Sequence, residues 1–166
     1  MERELERLHA SSWGWSLACC ARDRALAEDV LQTAYLRILS ARARFSGAST
    51  FKTWVFGVIR LTAVEALRRQ KGQFAREVGA EALAHLPAVT ASTDTIAESA
   101  ARREALVAAL HSLSPRQREV LQLVFYHEMT IEEAAAVMKV SIGSARTHYE
   151  RGKRALAREI VDGATL

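Results

Sequence analysis

The hydrophobic residues of this chain recur mostly three and four positions apart, which is the spacing of one face of an α-helix. In the clearest case Leu26, Val30, Ala34 and Ile38 form one stripe, and polar residues lie on the opposite side. Patterns of this kind predict helices over Glu2–Ala21, Leu26–Leu39, about Thr50–Gln70, Pro115–Tyr126, Thr130–Met138 and Ile142 to about Val161. Most of the chain is therefore predicted to be helical, and the predicted fold class is all-α.

Capping residues mark two helix starts in the second half of the chain. Ser114 precedes Pro115 and lies three positions before Gln117, so it can cap a helix that has proline at its first position. Thr130 has the same relation to Glu133. Both segments therefore predict a capping box.

The segment Glu77–Glu98 separates the chain into two parts, because it has four acidic residues and no Lys or Arg. A short helix is predicted near Glu81–His85, and a capping box at Thr95 predicts a helix that ends near His111. The predicted organisation is two small helical domains joined by a flexible acidic linker, with the first domain at residues 1–72, the linker at 73–97 and the second domain at 98–166.

Net charge and the residue motifs present indicate which kinds of function this chain is suited to. The 166 residues have a formal net charge of +4, which makes nucleic acid a candidate partner without deciding it. No Gly-rich phosphate loop, Gly-x-Ser-x-Gly or His-Glu-x-x-His motif occurs, so no catalytic residue is predicted. Cys19 and Cys20 are adjacent, which is poor disulfide geometry, and no spaced Cys/His set predicts a metal site. We expect no cofactor, no membrane span and a cytoplasmic location with reduced thiols.

Residues Thr130–Arg154 have the layout of a helix-turn-helix. Three alanines, Ala134–Ala136, supply the small side chains that a steep helix crossing needs. On the longer helix Ile142, Ala145 and Tyr149 form an apolar stripe. A second, mostly basic stripe consists of Arg146, Thr147, Glu150, Arg151 and Arg154. This arrangement suits a helix in the major groove of DNA, and the alternative is a solvated basic face on an ordinary helical hairpin.

A second candidate site combines aromatic and basic residues. Phe45, Phe51, Trp54 and Phe56 come directly before a basic stretch. The basic residues are Arg60, Arg68, Arg69, Lys71 and Arg76, with Glu65 as the one acidic residue between Arg60 and Arg76. Rings that stack on unpaired bases beside cations that follow phosphates are typical of single-stranded DNA binding. The alternative is that these aromatic residues belong to the hydrophobic core.

The polar face of Leu26–Leu39 is a third candidate surface. Ordinary solvent exposure would explain most of it. However, Leu36 places an apolar side chain among the polar ones, which favours a protein partner.

Taken in order, these segments resemble a bacterial sigma factor of the extracytoplasmic-function (ECF) group in the sigma-70 superfamily. Ala27–Arg37 (AEDVLQTAYLR) is similar to region 2.2 of that family. Phe45–Gly47 (FSG) followed by Phe51–Phe56 (FKTWVF) is similar to region 2.3. Leu113–Val120 (LSPRQREV) and Thr130–Leu156 resemble region 4. The resemblance covers nearly the whole chain.

The resemblance implies a non-catalytic protein that binds core RNA polymerase, directs it to promoters and is commonly held inactive by an anti-sigma factor. The resemblance also implies contact with the β flap of the polymerase and entry of the linker into the polymerase channels. Docking on the β′ coiled coil is implied for Asp29, Gln32, Thr33, Leu36 and Arg37. Recognition of the −10 element is implied for Phe45, Ser46, Ser49, Thr50, Lys52, Trp54, Arg60, Leu61, Arg68 and Arg69. Recognition of the −35 element is implied for Ser141, Ser144, Arg146, Thr147, His148, Glu150, Arg151 and Arg154.

The chain departs from the family pattern at three of these positions. Thr33 replaces a residue that is commonly acidic, Leu61 replaces an Asn often used in −10 recognition, and Glu150 lies on the expected DNA face. Two other function classes stay open at this point. One is a stand-alone helix-turn-helix regulator with an N-terminal sensing or dimerisation domain. The other is an adaptor that mimics a sigma surface without starting transcription.

Overall fold

The computed structural model describes residues 1–78 and 113–163, with side chains over 1–72 and 113–158. All regular structure within these ranges is helical, which confirms the all-α prediction. The helices are α1 (Glu2–Cys19), α2 (Arg24–Leu39), α3 (Phe51–Val78), α4 (Pro115–Leu121), α5 (Ile131–Met138) and α6 (Ile142–Gly163). The chain divides into two compact units, Met1–Val89 and Thr90–Leu166.

Some predictions fall on other parts of the chain. The short helix predicted near Glu81–His85 and the helix predicted from Thr95 lie outside the described residues. The division into residues 1–72, 73–97 and 98–166 stays a prediction.

In the N-terminal unit α1, α2 and α3 each pack against the other two. The centre of the core is Trp15, whose ring stacks on Phe56 with centroids 5.7 Å apart. The indole N–H of Trp15 also donates to the backbone carbonyl of Phe56 at 3.1 Å. Between α1 and α2, the hydroxyl of Ser16 donates to the backbone carbonyl of Ala27 at 2.7 Å. These bonds satisfy polar groups that burial would otherwise leave without partners.

The turn between α1 and α2 ends the first helix earlier than the sequence predicted. Ala21 and Arg22 have φ angles of 51° and 65°, so α1 ends at Cys19. Asp23 then caps α2, since its side chain accepts a hydrogen bond from the amide of Leu26 at 3.0 Å. This cap starts α2 at Arg24, two residues before the predicted start.

The third helix is longer than predicted. It begins at Phe51, next to the predicted Thr50, but it continues to Val78 instead of ending near Gln70. The extra residues contain no proline, and most are good helix formers. The basic residues of this helix therefore lie on one continuous helical element.

Both predicted capping boxes are confirmed in the described part of the C-terminal unit. The Ser114 side chain accepts from the amide of Gln117 while the Gln117 side chain accepts from the amide of Ser114, and Thr130 and Glu133 form the same pair. Lys139, with a φ angle of 56°, ends α5 and begins the three-residue connection to α6.

A π-helical turn at the end of α4 changes which residues of this segment are buried. The sequence predicts one α-helix to Tyr126, but residues Gln122–Tyr126 form a π-helical turn that continues α4. The wider turn shifts the residues that follow it around the helix axis. Leu123 is therefore buried with Val120 and Leu121, whereas Val124 is only half-buried.

The helix-turn-helix packs around small residues. Ala134 and Ala135 are buried as predicted, but Ala136 is exposed, so two alanines rather than three form the crossing. Where α6 passes α4, a Cβ atom added to Gly152 would lie 2.8 Å from a methyl carbon of Leu121. This glycine therefore allows the close approach of the two helices.

The two cysteines lie at the end of α1 and in the turn that follows it. Neither forms a disulfide; Cys20 is buried and Cys19 is half-buried. Burial raises the pKa of the Cys20 thiol to about 11, the charge of Asp23 adds to the rise, and a hydrogen bond with Ser16 lowers it. Cys20 is therefore a neutral thiol near pH 7, and thiols in this form are poor nucleophiles.

Candidate functional site

The start and outer side of α6 carry the residues predicted to read the −35 element. We call Ser141, Ser144, Arg146, Thr147, His148, Glu150, Arg151 and Arg154 the recognition surface. All are exposed except His148, which is half-buried. Ala145 is completely buried against the rest of the unit, so α6 presents its polar side outward. The structure therefore brings these predicted residues together on one helix.

Several side chains of the recognition surface are held by local contacts. Ser141 caps α6 by accepting from the amide of Ser144 at 3.1 Å. The hydroxyl of Thr147 donates to the backbone carbonyl of Gly143 at 2.9 Å. Arg146 lies 3.9 Å from a carboxylate oxygen of Glu132 on α5, and both side chains are largely exposed. An exposed ion pair of this length contributes little stability, so Arg146 can leave it to meet a base edge or a phosphate.

Three aromatic side chains lie together where the α2–α3 loop enters α3. The rings of Phe45, Phe51 and Trp54, which we call the aromatic cluster, have centroids 5.3 to 5.5 Å apart. Phe56 does not belong to this cluster, because it is completely buried against Trp15. The core interpretation of the aromatic segment therefore applies to Phe56. The three rings of the aromatic cluster are only partly covered and remain candidates for stacking on bases.

The loop beside the aromatic cluster is exposed from residue 44 to residue 50. Ser46, Ser49 and Thr50 all lie in it, and Gly47 has a φ angle of 77°. The hydroxyl of Thr50 accepts from the amide of Thr53 at 3.2 Å, which fixes the start of α3. The predicted loop residues and the aromatic cluster thus form adjacent parts of one surface.

The remaining residues predicted for the −10 element lie along α3. Lys52 and Arg60 are half-buried, whereas Leu61, Arg68 and Arg69 are exposed. Arg69 lies 3.7 Å from a carboxylate oxygen of Glu65, one turn before it. The helix therefore offers a series of cations beyond the aromatic cluster, and Leu61 is an uncharged, apolar position among them.

The α2 face, formed by Asp29, Gln32, Thr33, Leu36 and Arg37, is not uniformly exposed. Asp29, Gln32 and Leu36 are exposed, and Leu36 has 67% of its surface accessible to solvent. Thr33 is half-buried. Arg37 is also half-buried, and its guanidinium donates to the carboxylate of Glu65 and to the hydroxyl of Thr62. Arg37 therefore connects α2 to α3 through these two hydrogen bonds.

An exposed aromatic surface in the C-terminal unit was not predicted from the sequence. Phe125 and Tyr126 are 61% and 70% exposed. Phe125 stacks on Tyr149 of α6 with centroids 5.8 Å apart, and the ammonium of Lys153 lies 5.1 Å from the centre of the Tyr149 ring. We call Phe125, Tyr126 and Tyr149 the aromatic patch. The only sequence signal for it is two adjacent aromatic residues at the end of a predicted helix.

The described residues hold no cluster of three or more His, Cys, Asp or Glu side chains that could bind a metal ion. Likewise, none of the helices in the described ranges has both the length and the hydropathy needed to cross a bilayer.

Comparisons with known proteins match both units. The family described as sigma-70 region 2 matches residues 9–73, and the family described as sigma-70, region 4 matches residues 103–156. The chain is 33% identical over 144 residues to RNA polymerase sigma factor CarQ of Myxococcus xanthus, covering 87% of this chain and 80% of that protein. It is 28% identical over 149 residues to ECF RNA polymerase sigma factor SigX of Bacillus subtilis, covering 84% and 73%.

A solved structure has the same fold. It is the sigma factor RpoE in complex with the anti-sigma factor NepR from Bartonella quintana, with a TM-score of 0.69 at 23% sequence identity. The match covers 96% of this chain and 95% of that chain.

Proposed function

Because this chain belongs to the ECF group of the sigma-70 family of RNA polymerase sigma factors, we propose that it binds core RNA polymerase and directs the enzyme to specific promoters. The chain acts by binding and has no reaction of its own. Its place of action is the cytoplasm, where the polymerase meets the chromosome.

The observation that carries this proposal is the recognition surface. A basic helix stands out from a helix-turn-helix whose opposite side is packed, which is the arrangement that places a helix in the major groove. Arg146 and Arg151 are exposed, and an arginine can donate two hydrogen bonds to a guanine edge. The recognition surface therefore reads the −35 element in this proposal, and Glu150 on the same surface can accept from the amine of a cytosine.

The aromatic cluster and the basic side of α3 serve the −10 element. Phe45 lies at the exposed edge of the cluster, so an unpaired base can stack on it. Arg68 and Arg69 are positioned further along the helix to follow the phosphates of the same strand. Leu61 offers an apolar contact and no hydrogen bond, so the base beside it is chosen by shape.

Docking on the β′ coiled coil is assigned to the α2 face. Asp29, Gln32 and Leu36 combine an anion, an amide and an apolar side chain, as protein interfaces commonly do. Thr33 contributes at the edge of this surface. Arg37 acts chiefly by holding α2 against α3, since Thr62 and Glu65 engage its guanidinium.

The aromatic patch is assigned to the β flap of the polymerase. Exposed aromatic residues are enriched at protein interfaces, and two neighbouring rings exposed by 61% and 70% form an apolar surface of this type.

The acidic segment Glu77–Glu98 carries a charge of −4, which suits passage through a basic polymerase channel. An anti-sigma factor is a further partner, since the solved structure with this fold was determined with one.

Run-off transcription with core polymerase from the source bacterium tests this function. We expect defined start sites with the chain present and none with core polymerase alone. A stand-alone regulator would instead bind a specific DNA site tightly without polymerase. A sigma mimic would bind core polymerase or the anti-sigma factor but start no transcripts. Either result would contradict the proposal.

Reversing the charge of Asp29 is expected to weaken the complex with core polymerase. Asp29→Arg should raise the Kd for core polymerase about tenfold. A polymerase surface that is complementary to the carboxylate of Asp29 would repel the positive charge of an arginine at the same position. Fluorescence titration of labelled chain with core polymerase measures this change. The matched control is Glu6→Arg, which reverses an exposed carboxylate on α1 and should leave the Kd within about twofold. Equal Kd values for the wild type and Asp29→Arg would remove Asp29 from the docking face.

Truncation of Phe125 is expected to reduce transcription through the flap contact. Phe125→Ala should lower the yield of full-length transcript about fivefold to tenfold, since it removes an exposed ring that the partner would bury. Phe125→Leu keeps most of the apolar surface and should retain most of the activity. On core polymerase that lacks the flap tip, wild type and Phe125→Ala should become equal. A difference that persists on this truncated enzyme would show that Phe125 acts elsewhere.

A further inference from the structure

The first residue of α6 has an unexpected position. The spacing of Ile142, Ala145 and Tyr149 predicts that all three point into the unit, and Ala145 is indeed completely buried. Ile142, however, is 47% exposed. It is the one large hydrophobic residue exposed on α6 within residues 142–158, the part of the helix with described side chains. The apolar stripe therefore begins outside the core, at the end of α6 that starts the recognition surface.

The surroundings of Ile142 leave its side chain accessible and satisfy the polar groups next to it. The hydroxyl of Ser141 donates to the hydroxyl of Ser144 at 2.9 Å and accepts from the Ser144 amide at 3.1 Å. Gly143 adds no side chain, and a Cβ placed on it would meet only the Ser141 hydroxyl, at 4.0 Å. The first turn of α6 thus presents one branched hydrocarbon group among small, locally bonded residues.

We propose that Ile142 contacts the 5-methyl group of a thymine in the −35 element and makes one position of that element selective for thymine. This inference rests on the proposed function of the recognition surface. The N-terminal residues of a recognition helix are those that meet base edges in helix-turn-helix proteins. On the major-groove side of the base pairs, the thymine methyl is the apolar group that an isoleucine can cover. Ile142 supplies apolar surface at that end of the helix, where Ser141 and Ser144 supply only hydroxyl groups.

The test removes that methyl group without changing any hydrogen bond. Holoenzyme made from the full chain and core polymerase first selects promoters from a library randomised across the −35 element. Each thymine of the selected element is then replaced singly by deoxyuridine, and holoenzyme binding is measured. At one position we expect a loss of about fourfold, the factor that corresponds to burial of one methyl group.

Variants of Ile142 assign the loss to this side chain. Ile142→Ala should bind thymine promoters about fourfold more weakly than wild type, with no further loss on deoxyuridine at that position. Ile142→Val keeps two methyl groups and should restore discrimination. Leu156→Ala is the matched control, because it shortens a half-buried side chain on the packed side of α6 and should keep the wild-type ratio.

The outcomes separate this inference from the proposed function. If the holoenzyme selects no promoter and starts no transcript, the sigma-factor assignment of this chain fails. If it starts correctly but no deoxyuridine weakens binding, or Ile142→Ala keeps the thymine preference, the role of Ile142 is overturned while the sigma-factor function stands. A selected −35 element without an A·T pair would also overturn the role of Ile142.

Discussion

Replacing Arg146 and Arg151 together by alanine is expected to abolish most promoter discrimination by the holoenzyme. Each arginine is exposed on the recognition surface, and each lost contact with a base edge costs about 1–3 kcal/mol of specific binding. The two residues are five positions apart on α6, so their effects should add to about 2–6 kcal/mol if they contact separate bases. Competition between the selected promoter and unrelated DNA, at one fixed salt concentration, measures this loss.

Removing another arginine of α6 as a control distinguishes contacts with specific bases from electrostatic attraction to any DNA. Arg158→Ala also removes an exposed arginine from α6, but it lies beyond the recognition surface. It should weaken binding to all sequences about equally and reduce the salt dependence by about one phosphate contact. If the double variant behaves in this same uniform way, Arg146 and Arg151 contact phosphates and the sequence is read elsewhere.

Truncation of Trp15 is expected to produce the largest loss of stability in the N-terminal unit. Trp15→Ala removes a ring that is 1% exposed and stacked on Phe56, and such truncations cost about 3–5 kcal/mol. It also leaves the Phe56 carbonyl without its indole donor. All three tryptophans of the chain lie in this unit, so fluorescence of Trp13 and Trp54 during denaturation reports its unfolding specifically.

The conservative variant distinguishes packing from hydrogen bonding. Trp15→Phe keeps an aromatic ring against Phe56 but loses the N–H donor, and it should cost less than Trp15→Ala by about 2 kcal/mol. Because α1, α2 and α3 all pack together, Trp15→Ala should also weaken polymerase binding although Trp15 itself is buried. A stability unchanged by Trp15→Ala would contradict the packing described for this core.

Several features of the candidate site followed from local sequence alone. The capping boxes at Ser114 and Thr130 depend on contacts between residues three positions apart, so the sequence contains both partners. The basic stripe of α6 follows from helical periodicity over a single helix for the same reason, whereas the roles of Ser141, Ser144 and His148 were implied only by the family resemblance. The order of the motifs was also enough to indicate the sigma-factor family, which the comparisons then established.

Contacts and burial that depend on a neighbouring helix were harder to predict from the sequence. The hydrogen bonds from Arg37 to Thr62 and Glu65 of α3 were not predicted, because these partners are 25 and 28 positions away, and the docking role of Arg37 stays a prediction. Ile142 was predicted to point inward from its spacing with Ala145, yet it is exposed, because spacing gives the angle around a helix and not how far a neighbouring helix reaches. The aromatic patch depends on the π-helical turn at Gln122–Tyr126, which leaves no clear pattern in the sequence.

The sequence by itself determined where most helices begin, which sides of α2 and α6 are polar, and which family the chain resembles. Those properties arise from interactions between residues within one or two helical turns. Only the tertiary structure decided that Phe56 belongs to the core while Phe45 lies at the surface, and that Phe125 and Tyr126 point outward. Burial is a property of packed pairs of helices, and it depends on crossing positions and on local changes of helical winding that the spacing of residues does not contain.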